Sequence, residues 1–314
     1  MPGAEVSIYL NRAPQIVASN GLPIREDVAY SDAKGEESER GKRRAQEAIN
    51  KLHEILPSLL EPNEAIFCLV RCQAPVGALE QLFVGWSIYQ ITATTLLFTN
   101  LRVIHLGVGS KGRWKRTLRS VRWGDIAEAK IKGWGSKVFA LKYASGKKEN
   151  YWRLRRRDAK KVKTLLEILI PASRGEMTAA QEMVALCPDC RARLTPGSYR
   201  CESCRLAFKD EKTLLLRTLL IPGGGYWYAG LWPLGVMSFF GEGVLTLFLI
   251  TGILLATGIV TSEAKPGSAP SSSAEFWTAA ATFALLLALE KALAYIHTRR
   301  VIRTFLPLQK PGQV

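Results

Sequence analysis

Four cysteines in the second half of the chain have the residue type and spacing of a metal site. Cys187 and Cys190 form one C-x-x-C pair and Cys201 and Cys204 a second, with ten residues between the pairs. Such a pair bends the backbone so that two thiolates reach one ion, and two pairs complete the tetrahedral sulfur shell that zinc prefers. Because four protein ligands leave no position for a reacting water, we expect a structural zinc ion that stabilises a small module.

Two other chemistries use paired cysteines. A redox dithiol is expected beside a βαβ unit, which the surrounding sequence lacks. An iron–sulfur cluster also takes four thiolates and stays an alternative to zinc. The segment 186–208 resembles a zinc ribbon, which implies an adaptor for nucleic acid or protein, or a spacer. Its arginines suit nucleic acid, but residues 172–212 hold 7 Lys+Arg against 6 Asp+Glu and few aromatic residues for base stacking.

Residues that could carry catalysis are scarce. The three histidines are His53, His105 and His297, and none lies in a catalytic signature. The sequence has no G-x-x-x-x-G-K-[ST] phosphate loop and no H-E-x-x-H motif. The two remaining cysteines, Cys68 and Cys72, fall on an apolar strand and are expected to be buried thiols. We therefore predict that the protein is not an enzyme.

One part of the chain has most of its positive charge. Residues 61–171 hold 21 Lys+Arg and 8 Asp+Glu, within a chain of net charge +16. Such a field attracts polyanions, although a solvated face without a partner has the same composition. The cations predicted to contact an anionic surface are Lys111, Arg113, Lys115, Arg116, Arg119, Arg122, Arg153, Arg155, Arg156 and Arg157.

Two kinds of polyanion fit this charge. An anionic lipid membrane is the first, and nucleic acid is the second, because tryptophans suited to base stacking lie among the basic residues. These tryptophans are Trp114, Trp123, Trp134 and Trp152. Their strand-like spacing favours a role in the core.

The hydrophobic pattern predicts the secondary structure. Residues 1–35 mix Pro, Gly, Asn and Asp, which is typical of a flexible arm. Residues 36–61 place apolar side chains three and four apart, which predicts one amphipathic helix. A helix over 156–170 closes the basic region. Between the two helices we expect strands at 65–72, 86–98, 103–108, 114–123, 126–132, 138–143 and 150–154.

The order of these elements resembles a known domain. The strands include the turn LFTNLR at 97–102 and the segment WGDI at 123–126, and they precede the closing helix. Residues 62–171 are in this respect similar to bacterial pleckstrin-homology-like domains of the GRAM-related kind. The resemblance implies a small antiparallel β-barrel capped by a helix. It also implies protein binding or self-association as much as lipid binding, and no specific phosphoinositide pocket is evident.

Two apolar stretches near the C-terminus are long enough to span a bilayer, at 234–260 and 276–297. We expect a transmembrane hairpin with residues 261–275 as its extracytoplasmic loop. That loop is poor in Lys and Arg, whereas the tail 298–314 and the chain before the first span are basic, so the positive-inside rule places both termini in the cytoplasm. The N-terminus lacks the apolar core of a signal peptide, and a reducing compartment suits thiolate ligands. We expect the inner membrane of a bacterium.

Polar residues interrupt this hairpin. Glu242 lies between two glycines of the first span, where a helix break could admit water, and Glu290 and Lys291 lie toward the end of the second. Ionisable residues inside a membrane are costly and mark functional sites by default, although the latter two can snorkel. Residues 209–233 contain PGGG and aromatic residues, so we expect an interfacial or re-entrant segment. Residues 213–260 resemble the two-transmembrane domain family, which implies only a small membrane hairpin.

These parts predict an α+β multidomain membrane protein in which residues 172–185 link the basic domain to the zinc ribbon. The expected function is that of a non-enzymatic, membrane-anchored adaptor or scaffold. Its basic domain would face anionic headgroups or a protein partner at the cytoplasmic surface. The alternative is a membrane-tethered nucleic-acid-binding protein, whereas a transporter would need more than two spans.

Overall fold

The computed structural model describes residues 21–31, 36, 39–75, 91–109, 111–260 and 272–308. The chain divides into two compact units, Met1–Leu206 and Ala207–Val314, which we call the sheet unit and the hairpin unit. The fold is α+β. An antiparallel sheet and the four-cysteine cluster belong to the sheet unit, and two long apolar helices belong to the hairpin unit.

In the described part of the sheet unit three helices come first, α1 (Glu26–Ala29), α2 (Glu39–Asn50) and α3 (Leu56–Leu59). Seven strands follow, β1 (Ile66–Gln73), β2 (Ala93–Thr99), β3 (Arg102–Val108), β4 (Trp114–Arg122), β5 (Ile126–Lys132), β6 (Lys137–Tyr143) and β7 (Lys148–Leu154). Helix α4 (Arg156–Ala172) comes after β7, and the short strand β8 (Val184–Leu186) completes the sheet.

The eight strands form one open sheet. Their order is β5-β6-β7-β1-β2-β3-β4-β8, and neighbouring strands run antiparallel. Strand β1 pairs with β2 along its length but with β7 only at Gln73 and Trp152. Among the described strands no ladder joins β5 to β8, so the sheet is open and has two edges. The antiparallel arrangement is confirmed, but the sheet does not close into the small barrel that the resemblance implies.

Two hydrophobic cores lie against this sheet. In one, α4 packs Val162 and Leu165 against strand residues that include Phe98. In the other, α2 and α3 contribute Ile49 and their neighbours, which pack against strand residues that include Leu97. The adjacent residues Leu97 and Phe98 enter different cores because successive side chains of a strand point to opposite faces. Burial on both faces explains why every residue of β2 is buried.

Residues 21–31 pack against the sheet, whereas residues 1–20 and 32–35 of the predicted arm lie outside the described part of the chain. We expected residues 1–35 to be a flexible arm, but Leu22 and Ile24 are buried, and Ile24 pairs with Ile66 at the start of β1. The helix predicted over 36–61 is divided, because α2 ends at Asn50 and turns separate it from α3. Proline in the first turn of α3 starts a new helix rather than continuing the old one.

Two other strand predictions also need correction. The strand expected at 86–98 corresponds to β2, which begins at Ala93, and residues 86–90 lie outside the described part of the chain. Strand β8 begins at Val184, near the end of the segment 172–185 that is predicted to be a linker. Its three residues are too few to produce a periodic pattern, so only its pairing with β4 identifies it.

The turn at 97–102 is held by buried polar contacts. The Thr99 hydroxyl oxygen accepts a hydrogen bond from the Arg102 backbone N–H at 3.0 Å. The Arg102 guanidinium forms a two-pronged ion pair with the buried Glu64 carboxylate, with both N–O distances at 2.9 Å. Asn100 Oδ1 accepts from the N–H of Ala65 at 2.7 Å. These residues fix the β2–β3 hairpin to the chain before β1, which is a structural role.

His105 on β3 gives the sheet unit a testable pH response. Neither ring nitrogen has a hydrogen-bond partner, and the ring packs edge-on against Tyr151. Burial lowers the pKa of His105 to about 3, and Arg119 adds to this effect. Between pH 6.5 and 3 the unfolded chain therefore binds a proton that the folded chain does not, so stability falls as the pH falls, by about 1.4 kcal/mol per pH unit.

We expect His105→Phe to remove this dependence. At pH 7 the substitution is close to neutral because no hydrogen bond is lost. At pH 5 the variant should gain about 2 kcal/mol relative to the natural chain. Thermal unfolding of the full chain at both pH values measures the difference. The exposed His53 provides the control, since His53→Phe should leave the pH profile unchanged. Parallel profiles for the natural chain and His105→Phe would contradict the prediction.

The hairpin unit contains α5 (Glu211–Leu220), α6 (Gly224–Ala229), α7 (Trp232–Ala256) and α8 (Ser273–Ile302). The last two are long and apolar enough to cross a membrane, with mean hydropathy of 2.0 and 1.6. Only 11 % of each apolar stretch is buried within the protein, so neither is a core helix in the described structure. Most of the loop predicted at 261–275 lies outside the described residues.

Candidate metal centre and charged sites

The four predicted metal ligands lie together. Their sulfur atoms are all within 4.8 Å of one another. The sulfur of Cys187 is 3.5 Å from that of Cys204, and the sulfur of Cys190 is 3.4 Å from that of Cys201. Tetrahedral zinc–sulfur bonds of about 2.3 Å place neighbouring sulfurs roughly 3.8 Å apart, so these positions fit one ion. The four cysteines could therefore hold a metal ion such as zinc.

The two C-x-x-C segments have the same backbone structure. The N–H of the first cysteine donates to a carbonyl five residues later at 2.9 Å, which is that of Ala192 in the first segment and of Leu206 in the second. The carbonyl of the same cysteine accepts a hydrogen bond at 3.0 Å from the N–H of the residue four positions later. The residues four positions after Cys187 and Cys201 are Arg191 and Arg205, and their φ angles are 61° and 64°. This left-handed conformation costs a non-glycine residue about 1–2 kcal/mol. The cysteine spacing predicts which residues come together, but an arginine at these positions does not indicate a left-handed backbone conformation.

The ligands differ in exposure and acidity. Cys187 and Cys201 are buried, whereas Cys190 and Cys204 are exposed. Burial raises the pKa of the Cys187 thiol. Burial acts in the same direction on Cys201, but hydrogen bonds from the Cys204 backbone, the Cys190 thiol and the Ser203 backbone, in that order, outweigh it and lower the pKa of Cys201 to about 7. Since metal ions bind thiolates, the turn of the second pair prepares Cys201 to act as a ligand.

The cysteine cluster is attached to the edge of the sheet. Strand β8, immediately before Cys187, pairs with β4. The N–H of Leu194 donates to the carbonyl of Ala185 at 2.9 Å, which folds the chain between the two pairs back onto β8. Asp189 of the first pair forms an ion pair with Arg116 of β4. The four-cysteine segment therefore continues directly from the edge strand of the sheet and is not separated from the sheet by a linker.

Comparisons with protein-family models, with curated proteins and with solved structures find no match to this chain. The pleckstrin-homology-like and zinc-ribbon interpretations thus depend on the order of the elements and on the cysteine spacing. The function must be inferred from the residues of the sites themselves.

The ten predicted surface cations fall into two groups. Six are exposed, namely Lys111, Arg113, Arg153, Arg155, Arg156 and Arg157. The other four lie on β4 and are half-buried. Three of these pair with carboxylates, which are Asp189 for Arg116, Glu149 for Arg119 and Glu61 for Arg122. Burial lowers the pKa of the fourth, Lys115, to about 8. The exposed group is therefore better placed than the β4 group to meet a polyanion.

Trp134 differs from the other three predicted tryptophans. Those three are buried or half-buried, as expected for core residues. Trp134 is 95 % exposed at the tip of the β5–β6 hairpin, between Gly133 and Gly135. Lys132 ends β5 and Lys137 begins β6, so cations flank the ring. The prediction of a core role is wrong for Trp134, because alternation along a strand does not continue into the connecting loop.

The three ionisable residues predicted inside the hairpin come together. Glu242 is only 2 % exposed and forms an ion pair with Lys291. Its Oε1 accepts hydrogen bonds from the Ser238 hydroxyl at 2.9 Å and from the Gly223 N–H at 3.0 Å. The Ser238 hydroxyl also lies 2.6 Å from Oε1 of Glu290. Two carboxyl groups thus share one hydroxyl group, and one of them, Glu242, also pairs with the Lys291 ammonium.

The backbone around Glu242 differs from the prediction. The residue lies in the continuous helix α7, so the helix break that we expected is absent there. The irregular backbone is instead at Gly223, before α6, where φ is 66°. A Cβ atom at Gly223 would collide with the backbone of Gly235, so glycine allows this turn to approach α7 closely. The approach places the Gly223 N–H against Glu242. Ser238 and Gly223 were not identified from the sequence.

Proposed function

We propose that the protein is a non-enzymatic, membrane-anchored adaptor whose sheet unit contacts anionic headgroups or a protein partner at the cytoplasmic surface. Seven consecutive antiparallel strands followed by α4 support the pleckstrin-homology-like interpretation of this unit. The four thiols support a structural zinc ion, because a closed set of ligands leaves no position for a substrate. The sheet unit would then serve as a stable contact module rather than as an enzyme.

Exposed apolar surface supports membrane anchoring. Large apolar side chains are exposed along both α7 and α8, and such surfaces mark contact with a membrane or a partner. Helix α5 also exposes leucines, at positions 215, 216, 219 and 220, which supports an interfacial position for this helix. The cations Arg299, Arg300 and Arg303 near the end of α8 favour cytoplasmic termini. A bacterial inner-membrane location follows from this proposal.

The exposed Trp134 is the observation that favours a membrane surface as the partner of the sheet unit. Tryptophan rings concentrate at the boundary between headgroups and acyl chains. A nearby lysine adds about 1 kcal/mol of attraction to anionic lipid. Trp134 packs on no core and lies between two strand-end lysines, so the hairpin tip has both features. Because α7 and α8 already tether the chain, this contact would orient the sheet unit rather than recruit it.

We expect Trp134→Ser to weaken this contact without releasing the protein. The full chain is reconstituted in phosphatidylcholine vesicles with phosphatidylglycerol, and quenching of tryptophan fluorescence by brominated lipids is measured. The variant should lose a quenched component that the natural chain has, and the loss should be smaller in neutral vesicles. Both chains should remain in the membrane fraction at alkaline pH, because the apolar helices provide the anchor.

Trp114 supplies the control for this experiment, since it is half-buried. Trp114→Phe also removes one fluorophore but should leave the lipid-quenched component unchanged. Equal quenching of the natural chain and Trp134→Ser would contradict the membrane-surface proposal. An oligonucleotide that abolished the difference between them would instead favour the nucleic-acid alternative.

A further inference from the structure

A basic cavity of about 200 Å³ lies in the sheet unit, between the end of α1, helix α2, strand β1 and the first turn of α4. Among the described residues, six cationic residues line it, against two acidic ones. The cations are Arg44, Lys51, Arg71, Arg155, Arg157 and Lys161, and the acids are Glu47 and Asp158. A concave surface with an excess of one charge concentrates the electric field and attracts small ions of the opposite sign.

The first turn of α4 adds backbone donors to this cavity. Arg155 is the N-cap residue, and its side chain does not cap the helix. The first N–H groups of a helix have no partner within the helix, and they and the helix dipole favour an anion at this end. Arg155, Arg157 and Asp158 of this turn all line the cavity. Two arginines at the start of α4 thus line the same cavity as the end of the helix that offers backbone donors.

The single carboxyl of this turn sits among cations. Burial raises the pKa of the Asp158 carboxyl, although the nearby Arg155, Lys161 and Arg44 act in the opposite direction. This balance indicates poor solvation, which strengthens the interaction of charges within the cavity. Lys161 also shapes the wall, because its ammonium donates to the carbonyls of Ala29 at 2.9 Å and Ser31 at 3.1 Å.

We propose that this cavity binds a phosphomonoester group, from either a soluble metabolite or a lipid headgroup. Arginine forks match the oxygens of a phosphate. After Glu47 and Asp158 are balanced, the described lining keeps an excess of positive charge that a phosphomonoester, with a charge of about −2, can neutralise in part. Pockets for larger ligands usually measure about 300–1,000 Å³, so this cavity suits one phosphate group better than a nucleotide. The site is distinct from the surface contact at Trp134, and a soluble phosphate could occupy it without any membrane.

The first test uses inorganic phosphate and glycerol 3-phosphate as probes. Each is titrated calorimetrically into the full chain in a zwitterionic detergent. We expect Arg157→Gln and Arg44→Gln each to weaken binding about tenfold, because each loses a charge-assisted hydrogen bond. Asp158→Asn should strengthen binding, since it removes a competing carboxylate. Lys160→Gln is the matched control, because Lys160 is exposed on the same helix but does not line the cavity.

The second test identifies the source of the phosphate. The chain is placed in phosphatidylcholine nanodiscs with either phosphatidic acid or phosphatidylglycerol, and glycerol 3-phosphate is titrated again. Competition by phosphatidic acid alone supports a lipid headgroup, and undiminished binding supports a soluble ligand. Absence of binding in detergent, or an equal loss in Lys160→Gln, would overturn the proposal. Displacement of phosphate by a more tightly bound oligonucleotide would also overturn it. The detergent test needs no bilayer, so its failure is distinct from failure of the membrane proposal.

Discussion

With the proposed zinc ion at the four cysteines, the variant Cys201→Ser should bind no zinc and should unfold the segment 184–206, while the rest of the sheet remains folded. Outside the cysteines, Pro188 and Leu194 are the buried residues of positions 187–206, so this module has almost no hydrophobic core. Zinc contributes about 10–16 kcal/mol to the folding of comparably small zinc-finger peptides. Elemental analysis should find one zinc ion per natural chain and none in the variant. Hydrogen exchange should show lost protection confined to 184–206.

Cys68 offers the matched control for this prediction. It is a buried cysteine of β1 outside the cluster, so Cys68→Ser makes the same chemical change without removing a ligand. That variant should keep one zinc ion per chain even if the core is weakened. Retention of zinc by Cys201→Ser would contradict the assignment of this ligand. Iron together with visible absorbance in the natural chain would establish the iron–sulfur alternative.

The clustering of the four cysteines could be predicted because their spacing is local. A C-x-x-C turn brings two thiolates together wherever it occurs, and the sequence shows it twice. The backbone of the turns could not be predicted, because Arg191 and Arg205 are unusual residues for positive φ. The attachment of the module through β8 was also missed, since its three residues are identified only by pairing with a strand some 65 residues earlier.

The sheet shows a similar division. Short apolar runs rich in β-branched and aromatic residues located most strands, because such a run is a property of a short segment. The pattern did not reveal that the N-terminal residues and α2 form a second core on the sheet. That arrangement depends on Leu22, Ile24 and Ile49 meeting strand residues far along the chain. A segment rich in Pro and Gly gives no signal of such packing before the tertiary structure is known.

In the hairpin unit, hydropathy predicted both long helices but not the pairing of their charges. Glu242 and Lys291 are 49 residues apart, and their contact requires the packing of α7 on α8. A sequence signal did exist, because opposite charges in two neighbouring apolar helices can reduce their burial cost by pairing. Individually, each residue indicates a functional site or a snorkelling side chain. Together, they indicate a structural contact between helices.

We expect Lys291→Met to destabilise the hairpin unit by about 3–5 kcal/mol, the usual cost of removing one partner of a buried ion pair. The variant leaves the carboxyl groups of Glu242 and Glu290 beside one Ser238 hydroxyl with no cation to balance them. Thermal unfolding of the full chain in detergent measures the loss. Lys212→Met is the control, because Lys212 is exposed on α5 and should be replaceable at little cost.

The double variant Lys291→Met with Glu242→Gln decides whether this cluster is mainly structural. Glutamine keeps an oxygen that can accept from the Gly223 N–H but removes the uncompensated charge, so most of the lost stability should return. A double variant no more stable than Lys291→Met, or a Lys291→Met chain as stable as the natural one, would contradict the structural role. Recovery of stability would mean that the ionisable residues stabilise the contacts among α6, α7 and α8. These contacts fix how the two long helices pack on each other, which apolar contacts with lipid alone cannot specify.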